Sequence, residues 1–136
     1  TVVRIDAGPV STQVTLALKS GGGDITAVMA STSAKRLKLK KGGEALALVK
    51  ASAVVLMTDF AGWSLSASNQ LEGTVLRVQK GAVSSLVVLT LPGGAAITAT
   101  VTNESVETTG LAVGVGATAV FEAYTVMVAA MTGARR

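Results

Sequence analysis

The 136-residue chain has no cysteine and no histidine. It therefore lacks the ordinary protein ligands for zinc, copper, haem and iron–sulfur clusters, and the side chain that most often serves as a general base near neutral pH. Any metal it carries must arrive as something other than a directly coordinated cation. Aromatic residues are limited to Phe60, Trp63, Phe121 and Tyr124, a poor supply of the stacking platforms on which single-stranded nucleic acid is usually held. No apolar run reaches the roughly 18 residues of a membrane-spanning helix. Arg4 and Asp6 interrupt the first apolar stretch, so nothing near Thr1 reads as a secretory signal. The expectation is a soluble, cytoplasmic protein without a membrane partner.

What is present points to strands. Hydrophobic residues make up 49% of the chain and include many Val, Ala and Leu, alongside 15 glycines, a composition suited to short strands joined by tight turns. The formal net charge of +4 is unevenly placed. Residues 1–65 carry eight Lys/Arg against four Asp/Glu, and residues 66–136 carry four of each, so the first half is the better place for an anion. A unit of half this length buries too little surface to be comfortable alone. The halves are expected to share surface or to oligomerise.

The chain repeats itself. Thr1-Val2-Val3-Arg4 aligns with Thr74-Val75-Leu76-Arg77, Gly8 with Gly81, Val10 with Val83, Val14 with Val87, and Leu16 and Leu18 with Leu89 and Leu91. After a turn that is one residue longer in the first copy, Ile25-Thr26-Ala27 matches Ile97-Thr98-Ala99. Ser33, Leu39, Gly42, Ala51 and Val54 then match Ser105, Leu111, Gly114, Ala123 and Val126. The alternation in Val87–Leu91 and Ile97–Val101, around a Pro-Gly-Gly turn, predicts one hairpin per copy. Residues 31–37 and 103–109 break that period with a polar start and predict a short helical turn. Ala45–Lys50, Val54–Met57, Ala117–Phe121 and Val126–Ala129 supply further strands. The expected class is all-β: two tandem five-stranded barrels of the oligonucleotide/oligosaccharide-binding (OB) kind, each with a short helical turn, over residues 1–65 and 66–136. The second copy opens with Ser66-Ala67-Ser68-Asn69-Gln70-Leu71-Glu72-Gly73, for which the first has no counterpart. The expectation is that a leading strand has been trimmed from the first copy, leaving an open sheet edge that another chain would have to cover.

The segment Ser66-Ala67-Ser68-Asn69-Gln70-Leu71-Glu72-Gly73-Thr74-Val75, followed by Gly81-Ala82-Val83, resembles the opening signature of the Mop (molbindin) family, a TOBE-type family, in which it reads Ser-Ala-Arg-Asn-x-Leu-x-Gly-x-Val. Gly110-Leu111-Ala112-Val113-Gly114 and Lys50-Ala51-Ser52 match further motifs of that family. The resemblance covers essentially the whole chain, twice. It implies binding of molybdate or tungstate between modules for intracellular molybdenum storage or homeostasis. The alternative it leaves open is the ligand-sensing effector half of a molybdate-responsive transcription regulator. Carried over by position, the ligand set is Ser66, Ala67 and Ser68 from the opening motif, Ala30 and Ser33 with Thr102 and Ser105 at the helix starts, and Lys50. It also implies a homo-oligomer, a trimer for the storage protein or a dimer for the effector. Two positions depart from the pattern: Ser68 stands where the family has Arg, and Glu122 occupies the second copy's equivalent of Lys50. Glu122 would repel a dianion, so the sites are expected to be unequal.

The physics of such a ligand suits these residues, because a tetrahedral dianion needs several donors aimed inward, from hydroxyls, an ammonium or free backbone N–H groups. The turns Gly8-Pro9-Val10 and Gly81-Ala82-Val83 are candidates for a second class of backbone site, although Pro9 removes one donor. Plainer roles compete. Serines beside glycine turns are usually turn residues, a lysine at a strand end is usually solvated, and Asn69 is expected to fix its segment through backbone hydrogen bonds. The basic run Lys35, Arg36, Lys38, Lys40 and Lys41 could touch nucleic acid but reads better as a solvated face, and packing is expected to explain three of the four aromatics. An enzyme would need Ser33 and Lys50 as nucleophile and base, but no nucleophile elbow and no third orienting residue accompany them. The chain is read as a binding protein and not an enzyme.

Overall fold

Both copies fold as their alternation dictates. The computed structural model describes residues 1–133. The first copy runs β1 (Val2–Ala7), β2 (Ser11–Ala17), β3 (Asp24–Ala30), α1 (Ser31–Arg36), β4 (Leu46–Val49) and β5 (Val55–Met57). The second runs β6 (Asn69–Lys80), β7 (Ser84–Thr90), β8 (Ala96–Thr102), α2 (Asn103–Thr109), β9 (Gly116–Phe121) and β10 (Val126–Ala129). The expected hairpins are β2–β3 and β7–β8, and they pair in the same register. Val14 faces Ala27 and Val87 faces Ala99, and all four residues are buried. The architecture is the tandem OB type.

A bulge bends the first strand of each copy at the same place. The β1–β2 register slips between Val2 and Arg4, and the β6–β7 register between Val75 and Arg77, so the extra residues are the equivalent Val3 and Leu76. Such an insertion adds twist and re-aims the strand. Here it turns Val2 away from β2, so that its N–H donates to the Gly43 carbonyl and its carbonyl accepts from Gly42 N, both at 2.8 Å. Val75 does the same with Val115 and Gly114, again at 2.8 Å. This cross-link curls each sheet toward a barrel. On β6 the approach to β7 is close enough at Gly73 that a Cβ would lie 2.6 Å from the Thr90 carbonyl oxygen. Only glycine fits there without displacing backbone.

Periodicity does not show which copy the last strands join. β4 pairs with β10, from Leu46↔Ala129 to Val49↔Val126, and β5 pairs with β9, from Val55↔Val120 to Met57↔Thr118. Since β4 is the first copy's version of β9, and β5 of β10, the copies exchange strands reciprocally. The sheet order β5-β9-β6-β7-β8 therefore contains strands of both. The 3-10 turn Ala51–Ala53 after β4 packs against β8, and its counterpart Ala123–Thr125 packs against β3. One continuous core results, joining Val2, Val14, Leu16 and Ile25 of the first copy to Val75, Val87, Leu89 and Phe121 of the second.

Because the core is continuous, a cavity made in the second copy should weaken the first. Leu89, fully buried, should cost about 2–5 kcal/mol when cut to alanine. Urea unfolding followed by circular dichroism and by amide exchange at Val14 should show a single transition displaced equally in both signals. Exchange at Val14 that stayed at its wild-type value would mean that the copies unfold separately.

Candidate functional site

The helical turns are tied to the barrels by a polar network at equivalent positions. Ser31 begins α1, is 7% exposed, and donates its hydroxyl hydrogen to the Gly8 carbonyl at 2.6 Å. That hydrogen is then engaged, so the 2.8 Å contact between Ser31 and Thr12 must have Thr12 as donor. In the second copy Asn103 Nδ2 donates to the Gly81 carbonyl at 3.0 Å, while its Oδ1 accepts from Ser85 Oγ at 2.6 Å. Different side chains at matching positions hold the same joint. The Gly8 and Gly81 amides donate to the Ser11 and Ser84 carbonyls at 3.0 and 2.9 Å. They are thus engaged within their own turns and are not open donors for a second class of site.

The first turns of the two helices differ in what they leave available. Thr102 caps α2: its Oγ1 accepts from Ser105 N at 3.0 Å and donates to Ser105 Oγ at 2.7 Å. At the matching positions of α1, Ala30 has no side-chain oxygen, no side chain caps the helix, and Ser33 is half-buried. The charges diverge in the same sense. α1 ends in Lys35 and Arg36, with Lys38 just beyond, whereas α2 carries Glu104 in its first turn and Glu107 farther on. Lys80 lies 3.9 Å from Glu107, with both side chains well exposed, a surface pair that contributes little. The first copy is open and basic where the second is capped and acidic.

The opening motif sits just ahead of β6. Ser66 and Ser68 are exposed and Ala67 is half-buried, and Gln70 Nε2 steadies the segment by donating to the Leu65 and Ala67 carbonyls at 3.2 and 3.0 Å. Asn69 is 1% exposed. Its Oδ1 accepts from Thr26 N at 2.8 Å and its Nδ2 donates to the Thr26 carbonyl at 2.9 Å, which is the expected fixing role and also a bridge from the second copy into β3 of the first. The β6–β9 register begins at Asn69↔Phe121, with Ser68 and Glu122 the residues that flank it. Lys50, exposed, leads instead into the Ala51–Ala53 turn that packs on β8, the strand ending at Thr102. The opening motif thus leads onto the end of β9, whereas Lys50 leads into the turn on β8.

The network of Thr12, Ser31, Ser85 and Asn103 went unnoticed in the sequence. The available signal was a polar residue, Thr12 or Ser85, on the inward face otherwise held by Val14 and Leu16 or by Val87 and Leu89. The aromatics require a correction: packing accounts for Phe121, 2% exposed, but Trp63 and Tyr124 are 78% and 77% exposed. Lys35, Arg36, Lys38, Lys40 and Lys41 are all exposed. A cleft of about 800 Å³ between Gly21–Gly23 and Gln70–Gly73 has Asp59 and Glu72 as its charged lining, the wrong sign for an anion. Among the described residues no cluster of acidic side chains could hold a cation.

A tandem β-barrel whose two copies keep one frame and differ in charge around their helical turns is the class that fold and site define. The chain belongs to the TOBE domain family, whose model matches residues 1–56 and 65–128. It is 64% identical over 128 residues to the molybdenum transport protein ModE of Herbaspirillum seropedicae, covering 94% of this chain and 47% of that protein. It is 40% identical over 129 residues to the molybdenum-pterin-binding protein MopA of Rhodobacter capsulatus, covering 95% and 48%. Identity to the DNA-binding transcriptional dual regulator ModE of Escherichia coli is 33% over 131 residues, covering 96% and 49%. The chain thus spans about half the length of these curated relatives. Among solved structures it resembles the cytoplasmic molybdate-binding protein ModG with molybdate bound, at a TM-score of 0.93 and 42% identity over 96% of this chain and 92% of that one.

Replacing Asn69 by alanine should strand the half-buried Thr26 N–H and carbonyl and destabilise the chain by about 1–3 kcal/mol. Asn69→Asp should not restore stability, because a carboxylate offers the Thr26 carbonyl an acceptor in place of a donor. Thermal melts of both variants test this, and a wild-type melting temperature for either would mean that the bridge between the copies is dispensable.

Proposed function

We propose that this chain binds molybdate or tungstate as an oxyanion and serves intracellular molybdenum storage or homeostasis. The observation that carries the reading is the likeness, across nearly the whole chain, to ModG with molybdate bound. Local chemistry supports it from the first copy's side. The uncapped start of α1 at Ala30 and Ser33, the basic residues that follow it, and Lys50 are suited to a tetrahedral dianion. Thr102 and Ser105 are turned toward each other, and Glu122 opposes a negative ligand, so any site that relies on Glu122 is weak or absent. With the opening motif leading onto β9 and Lys50 into the turn on β8, donors that join this motif to Lys50 come from different modules, and assembly into a homo-oligomer is part of the site. We take residues 1–65 and 66–136 as the two binding units, the oligomer as a trimer, and the role as binding and not catalysis.

A second reading has its own support. The 64% identity to a ModE, over about half of that protein's length, fits the effector half of a molybdate-responsive regulator, assembled as a dimer. Light scattering distinguishes dimer from trimer.

Calorimetric titration with molybdate should show saturable binding that sulfate does not match. Loss of one charge-assisted contact in Lys50→Ala should weaken binding about 10- to 100-fold, and Glu122→Lys should raise the affinity or number of sites. Absence of heat from a folded, assembled protein would overturn the reading, and an unchanged Lys50→Ala variant would move the site elsewhere.

A further inference from the structure

The repeat provides an internal control for one surface of the molecule. Lys35, Arg36, Lys38, Lys40 and Lys41 occupy the last turn of α1 and the loop beyond it, and all five are exposed. Their counterparts in the second copy, Glu107, Thr108, Gly110, Ala112 and Val113, are exposed as well. The frame thus turns this ledge to solvent in both copies, and only the first makes it basic. No Asp or Glu occurs between Asp24 and Glu44, and among the described residues none of the five cations forms an ion pair. The rest of the chain carries seven Lys/Arg against eight Asp/Glu, so the ledge accounts for the whole of the net positive charge.

A second observation sets Lys38 apart. Its φ is +53°, and that of Gly110, at the same position behind α2, is +70°. The two residues end their helices alike: the Lys38 amide donates to the Lys35 carbonyl at 3.0 Å and the Gly110 amide to the Glu107 carbonyl at 3.3 Å. Left-handed backbone suits glycine and disfavours any residue with a Cβ, so the first copy keeps a lysine where the fold favours glycine. Strain of this kind gathers where a side chain is used. Attraction to the helix dipole accounts at most for Lys35 and Arg36, and α2 forms with no basic residue in its last turn.

The chemistry of the ledge narrows its partner. No large apolar side chain of residues 31–45 is exposed. Leu37 and Leu39 are half-buried, and Leu39 packs against the core. A protein interface has a centre in which lysine is scarce and larger apolar groups gather, and attachment to a membrane draws on apolar side chains that enter the headgroup region. Residues 1–59 contain no aromatic ring on which an unpaired base could stack. Phosphates carried on the outside of a double helix ask for none of these, and Lys and Arg are the side chains that meet them. We propose that the ledge of Lys35, Arg36, Lys38, Lys40 and Lys41 binds the phosphate backbone of a DNA duplex without reading its base sequence. The contact needs neither Lys50 nor Ser66–Ser68 and stands apart from the oxyanion reading.

The test is fluorescence anisotropy of a labelled DNA duplex of arbitrary sequence, titrated with the chain over a range of salt concentrations. Saturable binding is expected at low ionic strength, and log K should fall against log salt with a slope of about −4 to −5 when all five cations engage. Replacing Lys35, Arg36 or Lys38 singly by glutamine should weaken binding several-fold and reduce the slope by about one, and the triple variant should lose most of the affinity. Lys19→Gln, off the ledge at the β2–β3 turn, is the control and should keep the wild-type slope. Lys38→Gly, which copies Gly110, separates binding from folding. It should melt a few degrees higher than the chain itself while binding the duplex as weakly as Lys38→Gln. A wild-type slope in the triple variant, full affinity in Lys38→Gly, or binding that does not weaken with salt would overturn the proposal. Tighter binding to phosphatidylserine vesicles than to the duplex would also overturn it, by assigning the ledge to a membrane surface.

Discussion

Where β4 lies against β10 and β5 against β9, each copy of the repeat completes the other, and most of the molecule's other features depend on that exchange. Half a chain of this size cannot bury enough apolar surface to be secure alone. Strand exchange answers the difficulty by sharing main-chain pairing as well as side-chain contact. It places Val54 and Val126 in a core to which both copies contribute, and it carries each 3-10 turn onto the neighbouring copy's hairpin. The Asn69 bridge to Thr26 is possible because the exchange has already brought the opening strand of one copy alongside β3 of the other.

A frame built this way is tolerant where it is exposed and strict where it is joined. At the root of each helical turn the chemistry varies while the connection stays. Ser31 with Thr12 in one copy and Asn103 with Ser85 in the other both tie the helix to the carbonyl of Gly8 or Gly81. Farther out the copies diverge freely. Ala30 replaces the capping Thr102, Lys50 replaces Glu122, and Lys35 replaces Glu107. Each change leaves the strands alone and alters how a negative charge would be received.

Much of the fold was legible because the repeat and the period-two alternation are both written in side-chain type. The hairpins around Val14–Ala27 and Val87–Ala99, both helical turns and the paired ends of each copy follow from those signals. The exchange of last strands does not. Val54–Met57 and Val126–Ala129 are apolar on the same period whichever copy they join, and partner choice is decided by main-chain pairing that leaves no mark on residue type. The same holds for the candidate site. Ser66–Ser68, Ser33 and Lys50 could be picked out by motif, but the register Asn69↔Phe121 that leads the opening motif onto β9 is not fixed by sequence spacing alone. Tyr124 and Trp63 misled for a related reason: an aromatic beside a strand end is expected to pack, yet both rings stand in solvent.

Because the frame is nearly symmetric and the chemistry is not, the two copies offer a negative charge different surroundings. Two identical barrels would imply two equivalent sets of donors. Here one set has its helix-start hydroxyls bonded to each other and a carboxylate at the position where the other has an ammonium. The exchange also crosses these charges over: the turn that Lys50 begins packs on β8, the strand leading to the Thr102–Ser105 pair, and the turn that Glu122 begins packs on β3, the strand leading to Ala30. The second copy can still serve the first, since its opening strand is what anchors β3 through Thr26.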